Sequence, residues 1–120
     1  MSGLLRLEAV GRRTGKGKLR REKRIDQTSY LTGARFGSVL KYEAWFEGGK
    51  VVKYSLAYVN PLISSVDNGR ILGYDNAHGH HHRHFKGTVK EVNFEDYDAL
   101  VSRFEEELQE LWRIEDGEEA

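Results

Sequence analysis

Cysteine is absent from the 120 residues, which excludes a disulfide framework, a thiolate nucleophile and a thiolate-ligated zinc or iron–sulfur centre. Any metal would have to be held by histidine and carboxylate. No apolar run is long enough to cross a bilayer, so the sequence predicts a soluble, unsecreted, cytoplasmic protein with no membrane partner. A phosphate-cradling loop is also missing, because Gly15-Lys16-Gly17-Lys18 lacks the strand-to-helix setting such a loop needs. That argues against a nucleotide-hydrolysing enzyme.

A chain of this length buries one core, so a single domain is expected. Its formal net charge of zero hides a strong asymmetry. Residues 1–41 carry eleven Lys and Arg against three acids, a net of about +8, whereas residues 91–120 carry twelve acids against two Arg, about −10. The basic end suits phosphate contacts. The acidic end can solvate a helix or receive a basic partner.

Three regions follow from the pattern: a basic arm and strand region over 1–38, an α+β core over 39–114, and a fraying acidic tail over 115–120. Gly11 to Arg24 is rich in Gly and bases, which predicts a mobile arm or a long hairpin tip. Val39–Phe46 and Val51–Val59 are β-branched and aromatic, joined by Glu47-Gly48-Gly49-Lys50, the pattern of an antiparallel hairpin. Pro61 ends the second strand and Asp67-Asn68-Gly69 makes a turn. Arg70–Asp75 reads as a third strand, and Arg83–Val92, interrupted at Gly87, as a fourth. Tyr97, Leu100, Val101, Phe104, Leu108, Leu111 and Trp112 recur at helical spacing, predicting one amphipathic helix capped by Asn93 or Asp96. The fold class is therefore α+β, an antiparallel β-sheet packed against a C-terminal helix. Tyr54, Tyr58 and Tyr74 are assigned to packing rather than base stacking.

All five histidines lie in His78-Gly79-His80-His81-His82-Arg83-His84, directly after Tyr74-Asp75-Asn76-Ala77. Histidine titrates near neutrality, so such a cluster can exchange protons, hold a metal or contact phosphate. In an extended chain His80, His82 and His84 share one face, and His81 and Arg83 share the other. For metal-free RNA cleavage, His82 and His84 supply acid and base and Arg83 a phosphate clamp, while Asp75 orients an imidazole. His78 and His80 are accessory. A metal-dependent nuclease would instead use a divalent ion on His80, His82 and His84. A third reading is a non-catalytic module that binds nucleic acid or a protein partner.

The order of Val52–Val59, Ile71-Leu72-Gly73-Tyr74-Asp75-Asn76, His82-Arg83-His84, Asn93-Phe94 and a Leu/Phe-rich C-terminal helix resembles the TumE-like toxins of toxin–antitoxin systems. Those are small proteins in which a Tyr/Trp-Asp-Asn strand end precedes a His-Arg/Lys-His motif. The resemblance spans roughly residues 39–112 and implies a ribonuclease-type toxin neutralised by a helix-turn-helix antitoxin. Asp75, Asn76, His82, Arg83 and His84 match the motif, and His81 matches members with a doubled histidine. The substrate-binding set expected is Asn76 and His81 with Arg12, Arg13, Arg20 and Arg21 of the basic arm, and RNA is the expected substrate. No cofactor is required in the leading reading, and a homodimer is left open.

Overall fold

A computed structural model describes residues 13–14 and 18–117, with side chains from Arg20 onward. Arg13–Thr14 (β1) and Lys18–Leu19 (β2) pair as a short antiparallel ribbon, so these residues of the basic arm take its hairpin form. Arg12 and the rest of the arm's tip lie outside the described residues. The main sheet has six antiparallel strands in sequential order: Arg21–Tyr30 (β3), Val39–Glu47 (β4), Lys50–Val59 (β5), Arg70–Asp75 (β6), His82–Phe85 (β7) and Thr88–Glu91 (β8).

Two of these strands differ from the sequence expectation. β3 contributes a ten-residue edge strand in register with β4, from Arg21 opposite Glu47 to Tyr30 opposite Val39. It is polar on both faces and largely solvent-exposed, so it lacks the alternation by which strands are read. The expected fourth segment is divided at Gly87 into β7 and β8, by a turn rather than a bulge: Lys86 (φ 47°) and Gly87 (φ 89°) form a two-residue hairpin turn between Phe85 and Thr88. Paired positive φ values match the twist of the flanking strands, and the Gly48-Gly49 turn between β4 and β5 uses the same device.

Tyr97–Glu115 (α1) lies across one face of the sheet, capped by Asp96, whose carboxylate accepts from the Ala99 N–H at 2.8 Å. Leu100, Phe104, Leu108 and Leu111 meet Ala44, Leu56 and Leu72 in the core. Tyr54, Tyr58 and Tyr74 are fully buried there, as packing residues. A buried hydroxyl needs a partner. Tyr42 donates to Glu105 at 2.7 Å, Tyr58 to Glu115 at 3.0 Å, and Tyr74 to Glu107. Burial, then the Glu107 hydrogen bond, pushes the Tyr74 hydroxyl up to about 12, so it remains a donor.

The helix ends at Glu115, where the sequence places the start of the acidic tail. Arg35, from the turn between β3 and β4, binds both Asp116 oxygens at 2.8 and 3.1 Å and the Trp112 carbonyl at 3.1 Å. Glu115 accepts a hydrogen bond from Tyr58, and residues 118–120 of the expected acidic tail lie outside the described ones. Among the described residues the opposite face of the sheet carries no helix.

Candidate functional site

The open face is set by strand parity. Register pairs Glu43 with Ser55, Ser55 with Asp75, and Asp75 with His82; the next row runs Lys41, Ala57, Gly73 and His84. Asp75, His82 and His84 therefore stand on the uncovered face, whereas Arg83, paired with Tyr74, points to the helix.

Asp75 is the centre of the cluster. Its Oδ2 lies 2.9 Å from His84 Nε2 and accepts from Arg70 Nη1 at 3.3 Å; its Oδ1 accepts from the Ala77 N–H at 3.2 Å and faces His82 Nδ1 at 3.9 Å. Arg70 Nη2 lies 3.0 Å from His84 Nδ1. A guanidinium can only donate, so His84 Nδ1 is the acceptor and the proton of the neutral ring sits on Nε2, towards Asp75. The 2.9 Å contact is nonetheless poorly aligned, and Nε2 makes no true hydrogen bond. Burial, and then the Arg70 guanidinium, pull the His84 pKa below its ordinary value, against the opposing pull of Asp75. His84 is thus held neutral at physiological pH, with one nitrogen masked by Arg70.

Arg70 was not singled out by the sequence, and local geometry explains its presence. Tyr58 pairs with Leu72 but Val59 pairs with Arg70, so Ile71 is an extra residue in β6. This bulge turns Arg70 onto the open face. Its side chain then runs over Gly73, where a Cβ would lie 2.8 Å from Arg70 Cδ and 2.9 Å from the Leu56 carbonyl. Asp67 holds Arg70 Nε at 2.8 Å from a turn in which Asp67, Asn68 and Gly69 all have positive φ. A glycine inside a strand is the available sequence signal, since it marks a close approach.

Other expected site residues are placed elsewhere. Arg83 pairs with Glu107 at 3.1 Å on the helix side, outside the Asp75 cluster, where the guanidinium present is that of Arg70. Asn76 accepts from the Tyr54 N–H and donates to the Val52 carbonyl, both at 3.0 Å. Its amide continues the β5–β6 ladder by one step and fixes the chain just after Asp75. His81 stacks on Phe94 with ring centroids 4.3 Å apart and shares a 2.9 Å hydrogen bond with the Tyr54 hydroxyl. Burial lowers its pKa, and His82 and His80 add to the effect. Asn76 and His81 therefore support the site from behind.

His80, His82 and His84 form a row with ring centroids 6.1 and 6.2 Å apart, and His80 faces Glu91 at 3.5 Å. Among the described residues no three His, Asp or Glu side chains converge as a metal site. Arg20 is exposed before β3, and Arg13 is described only as backbone. Arg21 pairs with Glu47 at 3.1 Å and borders a shallow depression lined also by Lys53, Asn76, Ala77 and His78. Arg21 and Asn76 are thus brought to one hollow beside the cluster.

Among the described residues the architecture is α+β, with one sheet face free of helix and a His–Asp–Arg cluster on it. Among the described residues no helix is long and apolar enough to cross a membrane. The family model described as Toxin TumE matches residues 10–112, nearly the whole chain, and the chain belongs to this family of toxins from toxin–antitoxin systems. Membership implies an antitoxin partner. No curated protein and no solved structure matches.

Proposed function

We propose that the protein is a metal-independent endoribonuclease toxin whose reacting groups are His84, His82 and Arg70 around Asp75. One observation carries the reading: a single carboxylate on an uncovered sheet face is approached at once by two imidazoles and a guanidinium. In this scheme a substrate phosphate draws the Arg70 guanidinium, and His84 Nδ1 is unmasked. The neutral ring takes the 2′-hydroxyl proton as the 2′-oxygen attacks phosphorus. His82, with Nδ1 turned to the Asp75 carboxylate that stabilises an imidazolium, protonates the departing 5′-oxygen. Arg70 stabilises the phosphorane. The products are a 2′,3′-cyclic phosphate and a 5′-hydroxyl. All four side chains come from one chain, so the scheme needs no homodimer. We read the partner as a helix-turn-helix antitoxin that covers or distorts this face.

The test is cleavage of RNA by the purified protein in EDTA, followed by end-group analysis. Cleavage giving cyclic phosphate, and its loss in His82→Ala/His84→Ala with circular dichroism unchanged, is the expected result. Undiminished cleavage by that variant, or activity that appears only with added Mn²⁺ or Zn²⁺, would overturn the scheme.

A further inference from the structure

Trp45 stands on the same open face as the cluster, because it follows Glu43 by two residues and pairs with Lys53 and Lys23 across the sheet. Both lysine ammonium groups lie over its ring, Lys23 at 4.9 Å and Lys53 at 4.7 Å from the centroid. The two are not equivalent. Lys23 is tied to Glu43 at 2.9 Å and Asp26 at 3.4 Å, whereas Lys53 is exposed and has no carboxylate in ion-pair range among the described residues. A half-buried indole with one tethered and one free cation is a surface from which a flat ligand can displace the free ammonium without moving anything else. The displaced Lys53 then meets whatever negative charge the ligand carries.

Between Trp45 and the cluster the face is low. β5 contributes Ser55 there, next to Lys53, and Ser55 is too small to obstruct a chain lying across the strands. With strands ~4.8 Å apart and two residues of offset, Trp45 and Asp75 are about 12 Å apart, a span a single strand covers in a few nucleotides. The depression lined by Arg21, Lys53, Asn76, Ala77 and His78 borders this strip at Lys53. Resting on the assignment of Asp75, His82 and His84 as the cleavage centre, we infer that this strip is a track for single-stranded RNA. One base stacks on Trp45 and the adjoining phosphate is held by Lys53. Aromatic stacking beside a basic groove tolerates any base, whereas a duplex hides its bases from the indole.

Binding can be read without cleavage by using a 2′-O-methyl RNA oligonucleotide, which lacks the attacking hydroxyl. The second tryptophan, Trp112, packs against Tyr58 and Arg35 beside the helix end, so a Trp112→Phe background leaves Trp45 as the sole reporter. Single-stranded oligonucleotide should quench Trp45 fluorescence, and the same sequence as a duplex should bind at least several-fold more weakly. In the parent protein, Trp45→Ala should weaken binding about tenfold or more. Lys53→Ala, an exposed change that leaves the core alone, should weaken it several-fold and lower the slope of log affinity against log salt by about one. Parent-like affinity in both variants, or equal quenching by duplex, overturns the track. Quenching and variant effects without any cleavage of ordinary RNA would uphold the track and sink the proposed reaction, and cleavage with no Trp45 dependence would do the reverse.

Discussion

On the covered face of the sheet the polar groups are shared out among several partners, whereas on the open face three side chains crowd one carboxylate. Tyr42, Tyr58 and Tyr74 each donate to a different glutamate, Arg83 takes Glu107 beside Tyr74, and His81 takes Tyr54. Such hydrogen bonds offset the cost of burying polar groups. Asp75 instead serves Arg70, His82 and His84 together, and one of its closest contacts is too poorly aligned to be a hydrogen bond. A network left incompletely satisfied holds groups ready for a ligand rather than for the fold. Histidine and arginine on a single strand thus take opposite tasks according to parity alone.

The sharpest way to break this contrast is Asp75→Asn, which keeps the shape and removes the charge. RNA cleavage should fall about 10³- to 10⁴-fold, measured as initial rate on a labelled transcript, while the melting temperature changes little because Arg70 retains Asp67. A smaller effect concerns pH. If His84 is the base, the acidic limb of kcat/KM should have its midpoint below 6.5, because burial and Arg70 lower the His84 pKa from that value. Arg70→Gln removes one of those causes, so the limb should move upward; an unmoved limb would assign the base elsewhere.

Stability gives the counterpart on the covered face. The folded His81 pKa also lies below 6.5, so the unfolded chain binds protons more readily, and stability should fall as pH drops through 6.5 and level off below the folded value. His81→Phe should flatten that fall in urea titrations. Because it leaves the Tyr54 hydroxyl unpaired, it should cost about 1–3 kcal/mol at neutral pH, with cleavage close to parent level. A large loss of cleavage at unchanged stability would move His81 to the reacting side.

Much of this arrangement was legible in the sequence. The helix from Tyr97, the Val39–Val59 hairpin and the split of His82 and His84 from His81 and Arg83 all follow from periods of 3.6 and 2. What escaped depends on contacts far apart in the chain. β3 is an edge strand with little apolar pattern, stabilised by pairing with β4. Arg70 reaches the site through a bulge and a glycine lane, neither of which is written in side-chain alternation. Asn76 is expected at the site through the motif of the resemblance, and the fold adds that both halves of its amide bond to β5 backbone. The contacts that tie the last turn of the helix to Tyr58 and Arg35, more than fifty residues earlier, have no local sequence pattern.

The central claim is that RNA chemistry belongs to the open face, and two arginines 13 positions apart test it most directly. Single-turnover cleavage in EDTA by Arg70→Gln and Arg83→Gln should be measured side by side with their unfolding curves. Arg70→Gln is expected to lose about 10²-fold in rate, while Arg83→Gln keeps its rate and loses at most about 1 kcal/mol of stability, as half-exposed ion pairs do. A rate that collapses in Arg83→Gln and survives in Arg70→Gln would contradict the account.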